Sequence, residues 1–401
     1  MISVRDYSFA FMTYGFQTRL ARYLSLSIGM LFLFTVAALP ARAQLGESTA
    51  LFLRIEPDSR AAGMGNTGVA VANNANAMFW NPAGLAFQTD TQVGLTHANW
   101  LPEFDAGLFY EYLVGTYHVE GVGTFGGNVT YLNLGEIEIR NNEGVSQGTY
   151  RSYELAVGVS YGYRVSDRLG LGTSLRGIYS KLSPSTGDID SGTASTIAGD
   201  LSMLYRTAPF QLGGAQGTFS TGMNLANMGG RMKYDDDKQA LPMNLRFGYA
   251  LTIDFDEYNS LTFANDFNKE LVNVREQTVT EQINGQDSTY TRTVPDRFYE
   301  ALFSSWGPAR GERNQDGEFS TLSVIEQFTV GAGLEYWYSD LFALRTGYFY
   351  EDPDNGNREF LNFGAGLRYN VVGVDISYIY TLEENNPLAN TLRFSVLFEF
   401  Q

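Results

Sequence analysis

Apolar and polar residues alternate with a period of two from about residue 91 to the end of the chain. In LNFGAGLRY (361–369), the odd-numbered positions are Leu, Phe, Ala, Leu and Tyr, and the others are Asn, Gly, Gly and Arg. VVGVDISYIY (371–380) and LRFSVLFEF (392–400) repeat the alternation. The pattern predicts β-strands with one apolar face and one small or polar face. A soluble β-sandwich would show similar alternation, so the pattern alone leaves both architectures open.

The lengths of the links between strands favour a membrane barrel. Even-numbered candidate strands end mostly in short links such as RVSDR and NVVG, whereas odd-numbered ones precede longer polar links such as KLSPSTGDIDSGTAST. Short periplasmic turns that alternate with long external loops are typical of outer-membrane proteins. The sequence therefore predicts an all-β fold, a transmembrane antiparallel β-barrel of about 14 strands over residues 91–401. The strands are expected to start near residues 91, 105, 122, 150, 168, 195, 216, 243, 258, 326, 341, 359, 372 and 391.

The longest insertion covers about residues 269–325 and is polar and charged. It follows the ninth candidate strand, so the alternation of links predicts that it lies outside the cell. Long loops without secondary structure are usually either functional or disordered.

The first 43 residues have the pattern of a cleavable signal peptide. Two arginines precede the apolar run LSLSIGMLFLFTVAALP, which ends at an A-x-A site before Gln44. The alternative is one N-terminal membrane anchor, but the apolar run is short for a span. Export and a barrel together predict the cell outer membrane. Since the chain has no cysteine, its stability must come from packing and sheet hydrogen bonds.

The net negative charge of the chain argues against nucleic acid as a partner. The formal net charge is −17, and the predicted signal peptide holds four arginines and one aspartate, which leaves −20 for the remainder. Phosphate binding requires a basic surface, so nucleic acid is a poor partner. The acidity suits a solvated exterior but identifies no ligand.

Several charged residues fall on the small-residue faces of the candidate strands, which would point into the barrel. On the lipid face, each basic residue would cost roughly 2–4 kcal/mol at the membrane midplane. In the lumen, opposite charges can pair. The main interpretation is a structural ion-pair network, and the alternative is a polar conduction path. The candidate lumen charges are Glu335, Arg345, Arg368, Asp375, Arg393 and Glu399.

The sequence contains possible catalytic and metal-binding motifs, but their surroundings do not support these functions. GVSYG matches the hydrolase pattern G-x-S-x-G but lies within an alternating strand rather than at a strand-to-helix turn. His97 and His118 belong to different strands without metal-ligand spacing. DIDSG and DPDNGN only faintly resemble calcium loops, because the later ligands are missing. We therefore expect no enzymatic activity, cofactor or metal site.

The stretch GMGNTGVAVANNANAMFWNPAGLA (63–86) begins with a match to G-x-G-x-x-G. A dinucleotide-binding turn directly follows a strand and opens a helix in a βαβ unit, and that context is missing here. Gly63, Gly65 and Gly68 would instead allow tight turns and close backbone approach. Asn81 and Pro82 would cap or end short helices. Residues 44–90 are therefore predicted to form a small N-terminal plug of short helices in the barrel.

With this plug, NPAGLA and about 14 strands, the chain resembles the FadL-like outer-membrane barrels. The block PDSRAAGMGNTGVAVANNANAMFWNPAGLAF is similar to the opening of PorV/PorQ-like proteins, and VGAGLEYWYSDLFALRTGYFY and NPLANTLRF narrow the resemblance to the PorV family of the type IX secretion system. The likeness covers about residues 44–401. One departure is that the chain ends in FEFQ, one residue beyond the expected terminal aromatic.

This resemblance implies a non-enzymatic secretion component in outer-membrane lipid. Such proteins receive cargo that bears a C-terminal secretion domain from the translocon barrel and pass it to a PorU-like sortase. Cargo contact is expected from the 269–325 loop and the KYDDDKQALPMN loop. The alternative is a FadL-like transporter of hydrophobic small molecules, which would need an apolar lumen pocket and a gap in the wall.

Overall fold

A computed structural model describes residues 48–104, 106–140, 144–184, 192–234, 237–283, 286–313, 319–383 and 386–400. The predicted signal peptide lies outside these residues. Fourteen long strands and the short strand Phe210–Leu212 form one antiparallel sheet among these residues. The first seven are β1 (Thr91–Asn99), β2 (Phe109–Val119), β3 (Gly123–Arg140), β4 (Ser146–Arg164), β5 (Leu169–Ser183), β6 (Gly192–Arg206) and β7 (Ala215–Gly229). The others are β8 (Asn244–Asp254), β9 (Asn259–Glu270), β10 (Phe328–Tyr338), β11 (Phe342–Tyr350), β12 (Glu359–Tyr369), β13 (Val372–Thr381) and β14 (Leu392–Phe400).

The sheet closes on itself. Each strand pairs with the next in the chain, and β1 also pairs with β14, where Leu95 lies opposite Val396. Closure leaves no open sheet edge, which a bilayer-spanning sheet requires. The predicted 14-stranded antiparallel barrel is confirmed. Among the described residues, no helix combines the length and hydrophobicity needed to cross a bilayer.

Side chains alternate across the wall as the period of two requires. Leu334, Leu344 and Phe363 are exposed on the outside, and Glu335 and Arg345 are buried on the inside. An apolar outer belt is the lipid-facing surface of a membrane barrel. The same alternation separates the neighbouring aromatic residues of the sequence YWY at the end of β10. Tyr336 and Tyr338 point outward, whereas Trp337 faces the lumen beside the Arg345 guanidinium.

The two ends of the barrel differ in their links. At one end, the tight-turn rim, β8 joins β9 through residues 255–258, and β12 joins β13 through two residues. The opposite end is the long-link rim. There β3 and β4 continue far beyond the length needed to span the membrane and replace most of the expected polar loop between them. At the tight-turn rim, the open part of the link between β6 and β7 is short, because Phe210–Leu212 pairs back onto β7.

The insertion between β9 and β10 is folded rather than structureless. Strands Val274–Ile283 and Gln286–Pro295 form a hairpin, followed by the helix Phe298–Ser304 and by a pair of short strands, Ala309–Arg313 and Phe319–Leu322. Alternating residues in VREQTVTEQI and STYTRTV support the hairpin, although polar groups dominate both faces. Because both strands are polar, their sequence pattern alone does not distinguish this hairpin from a loop.

The N-terminal segment before β1 consists of short helical pieces. They are Leu51–Arg54, Ser59–Ala62, Ala77–Trp80 and Pro82–Phe87. Phe52, Met78 and Leu85 pack in one buried cluster with inward residues of the wall, including Tyr110 and Ile178. We call residues 48–90 the plug.

Candidate functional site

The glycine-rich loop of the plug lies directly against glycines of the wall. Gly65 has a positive φ of 70°, and a Cβ atom there would meet the carbonyl oxygens of Ala332 and Tyr348. A Cβ atom on Gly347 would overlap the backbone of Gly65 in turn. Gly63 lies beside Gly364, and Gly68 lies under the Trp80 ring. The loop GMGNTG therefore packs backbone to backbone against β10, β11 and β12.

An aspartate of the wall binds the end of this loop. Asp266 on β9 accepts hydrogen bonds from the backbone N–H groups of Gly68 and Val69, at 2.7 and 2.9 Å from one carboxylate oxygen. The amides of a glycine-rich turn form an anion-binding concavity. In this protein a carboxylate of the barrel, rather than a phosphate, occupies it.

The NPAGLA segment fixes the opposite side of the plug. Asn81 is fully buried, and its side-chain amide donates to the carbonyl oxygens of Val69 and Met203, each at 3.0 Å. Its side-chain oxygen accepts from the Ala83 N–H, the arrangement of a helix N-cap, with Pro82 in the first turn. Pro82–Phe87 contacts β3 to β6.

Four of the six candidate lumen charges belong to one network, and a plug arginine completes it. Glu335 accepts from Arg60 at 2.7 Å and from Arg345 at 2.6 Å. Arg345 also donates to Asp375 at 2.8 Å, and Asp375 accepts from Arg368 at 2.6 Å. The network therefore ties β10, β11, β12 and β13 to each other and to the helix Ser59–Ala62.

The plug end of this network is electrostatically coupled to the wall. Burial alone would lower the pKa of the Arg60 guanidinium, but the charge and hydrogen bonds of Glu335 raise it above its usual value. Burial raises the pKa of the neighbouring Asp58 carboxyl, which accepts from the Arg60 N–H at 3.0 Å. Arg60 is therefore held as a cation in the lumen.

The other two candidate lumen charges lie apart from the network. Arg393 is buried on β14, and its nearest acid is Glu56 of the plug at 3.8 Å. Glu399 accepts from the side-chain amide of Gln92 at 3.2 Å, near the tight-turn rim.

Sequence reasoning missed the residues that join the wall to the plug. Arg60, Asp58 and Glu56 lie in a segment without strand periodicity, so its charges could not be assigned to a face. Asp266 lies on β9, where the inner face carries a carboxylate between Ala264 and Asn268. The sequence feature that could have identified Asp266 is its position on the small-residue face of β9.

One cavity among the described residues lies in the lumen toward the tight-turn rim. Its volume is about 610 Å³. Polar and charged groups are prominent in its lining, including Arg60, Arg206, Glu335, Arg368 and Glu399. This surface suits water and ions rather than a hydrophobic ligand.

Two hairpins meet at the long-link rim. The small hairpin Met232–Tyr234 and Asp237–Gln239, part of the KYDDDKQALPMN loop, contacts the strand Gln286–Pro295. Arg231 donates to the Pro295 carbonyl at 2.9 Å. The two loops that the sequence predicts to contact cargo therefore contribute to a single surface. We call it the rim surface, and it consists of the hairpin strands Met232–Tyr234, Asp237–Gln239, Val274–Ile283 and Gln286–Pro295.

The plug begins beneath the rim surface. The Thr49 N–H donates to the Ala240 carbonyl at 2.9 Å, and Arg54 pairs with Glu270 at 2.6 Å. These contacts link the start of the plug to the bases of both rim hairpins.

The other motifs have structural partners. Ser160, the centre of GVSYG, lies within β4 and shares a hydrogen bond with Ser174 at 2.7 Å. His97 contacts Glu111, and His118 contacts Thr124. DPDNGN forms a turn, whereas most of DIDSG lies outside the described residues. The described part of the chain has no group of three or more His, Cys, Asp or Glu side chains placed to hold a metal ion.

Comparison with known families decides the assignment. Residues 42–277, more than half of the chain, match the family described as type IX secretion system protein PorV. The chain belongs to the PorV family. It is therefore an outer-membrane component of type IX secretion. A comparison with curated protein sequences finds no match.

Solved structures include similar barrels. The toluene transporter TbuX of Ralstonia pickettii is 14% identical, with 86% of this chain and 98% of that chain covered and a TM-score of 0.46. The toluene transporter TodX of Pseudomonas putida is 13% identical, with 85% and 96% covered and a TM-score of 0.45. A FadL homologue of Pseudomonas aeruginosa is 13% identical, with 86% and 98% covered and a TM-score of 0.39. The barrel assignment rests on the strand pairing described above.

Proposed function

We propose that this PorV-family barrel binds secreted proteins bearing a C-terminal secretion domain and carries them from the type IX translocon barrel to a PorU-like attachment complex. The family match over residues 42–277 carries this proposal. The rim surface supports it, because two hairpins that are far apart in the chain are joined there through Arg231 and Pro295. In the orientation that the link lengths predict, this surface faces the cell exterior.

The filled lumen favours a protein-binding role over transport through the barrel. The plug bonds to strands on several sides of the lumen, from Gln92 on β1 to Asp266 on β9 and Ser395 on β14. A transporter of hydrophobic small molecules would need an apolar pocket, whereas charged groups are prominent in the lining of the lumen cavity. We therefore place the binding site on the rim rather than in the lumen.

Removal of the hairpin tests the rim surface. Asn273 and Asp296 are already hydrogen-bonded across its base at 2.7 Å, so residues 274–295 can be replaced by two glycines without stretching the chain. We expect this variant to bind an isolated C-terminal secretion domain about tenfold more weakly, because part of the contact surface is lost. Surface plasmon resonance on the reconstituted full-length protein measures the loss.

The hairpin at the end of β3 and β4 is the matched control. It is also at the long-link rim, and Glu136 and Arg151 pair at its base at 2.6 Å. Replacement of residues 137–150 by two glycines should leave the affinity unchanged within about twofold. Equal binding by both variants and the unmodified protein would exclude the first hairpin from cargo recognition.

A further inference from the structure

The helix Phe298–Ser304 lies on the outside of the barrel wall. Ala301 and Leu302 pack in a cluster with Leu225 and Leu245, whose side chains point outward from β7 and β8. The helix is thus on the membrane side of the wall rather than above its opening.

The chain after the helix continues along the same outer face. Lys269 points outward from β9 beside Phe328, yet it is buried because the following segment covers it. Its ammonium group donates to Gln327 at 2.5 Å and lies 5.6 Å from the centre of the Trp306 ring. We call residues 296–313 and 319–327 the apron.

Strand length places the apron at the edge of the membrane. β8 has 11 residues, which at the usual rise and a tilt near 40° cover about 28 Å of membrane depth. The apolar band of an outer-membrane barrel is about 25 Å tall. Leu245 is the second residue of β8 and therefore lies where the hydrocarbon meets the headgroups. The helix packed on it is at the same depth.

The side of the apron that faces away from the wall is rich in exposed apolar groups. Phe303 and Ile325 are each 82% exposed, and Phe298, Tyr299 and Trp306 are exposed as well. Arg297 donates to the Tyr299 hydroxyl at 2.6 Å, and Trp306 donates to the Leu302 carbonyl at 2.8 Å. Apolar rings with polar edges and a nearby cation are typical of the membrane interface.

We propose that the apron is a lipid-binding surface that inserts into the membrane leaflet at the long-link rim. Its occupant is lipid because the exposed side chains continue the lipid-facing belt, in which Phe247 and Phe263 are exposed on the neighbouring strands. Transfer of these exposed apolar side chains from water into lipid favours the inserted position. The apron thereby holds the base of the rim surface at a fixed height above the bilayer.

Single spin labels can test this, because the chain has no native cysteine. We would label Phe303→Cys on the apron, Leu334→Cys on the lipid-facing wall and Thr278→Cys on the exposed hairpin, each in the full-length protein. The proteins are reconstituted in phosphatidylcholine vesicles. Collision rates of the nitroxide with oxygen, which concentrates in lipid, and with a nickel chelate, which stays in water, measure the depth of each label.

The label at position 303 is expected to behave like the one at 334, with frequent oxygen collisions and about tenfold fewer nickel collisions than at 278. Values at 303 equal to those at 278 would overturn the proposal. If the label at 303 lies in water and becomes immobilised only when the translocon barrel is added, the apron is instead a protein-docking surface. All of these results are independent of cargo binding by the hairpin.

Discussion

Replacement of Glu335 by glutamine should lower the free energy of unfolding by about 3–5 kcal/mol, because it leaves two buried cations without their shared anion. Glu335 is 1% exposed and accepts from Arg60 and Arg345, whose side chains are 11% and 0% exposed. Glutamine keeps the shape of the side chain but removes the charge. Urea unfolding in lipid vesicles, followed by tryptophan fluorescence, measures the change.

The exposed pair between Glu138 and Arg140 is the matched control, with a separation of 2.6 Å. Glu138→Gln makes the same chemical change in water, where an ion pair contributes about 0–1 kcal/mol. Similar effects of the two substitutions would contradict the stabilising role of the plug-to-wall network.

Replacement of Gly347 by alanine should displace the plug from the wall. The added methyl group would overlap the backbone of Met64 and Gly65, and no side-chain rotation can relieve that contact. Overpacking of this kind typically costs about 1–3 kcal/mol. We expect faster hydrogen exchange of the amides at residues 63–69 and a measurable ionic conductance in planar bilayers.

Gly177 is the control for this substitution. It lies on the outer face of β5 with open space where a Cβ atom would be. Gly177→Ala should therefore leave exchange in the plug and conductance unchanged. Unchanged exchange in Gly347→Ala as well would show that the plug does not depend on close backbone packing at β11.

The barrel could be predicted because its signal is local. Alternation in LNFGAGLRY or LRFSVLFEF fixes which residues face lipid, and strand starts near 342 and 359 follow from the turns between them. The inner position of Glu335 and Arg345 follows from the same period. In the glycine-rich stretch, the missing βα series argues against a nucleotide site, and the amides of the loop bind Asp266 instead.

What the sequence leaves open depends on contacts between distant residues. The partners of Glu335 include Arg60, 275 positions away, and nothing local identifies that pairing. The same holds for Asp266 and the amides of Gly68 and Val69. The hairpin and helix between β9 and β10 were hidden because polar strands outside the membrane lack a buried face to reveal their period.

We propose that this chain serves the secretion of proteins with a C-terminal secretion domain. The function can be tested by deletion of the gene in its native host. Secreted and surface-attached proteins are then compared with and without complementation by the full-length chain. We predict that cargo with this domain fails to reach the surface and that complementation restores it, while uptake of hydrophobic small molecules is unchanged. Normal surface attachment combined with reduced uptake of such molecules would rule out this function and favour a transporter.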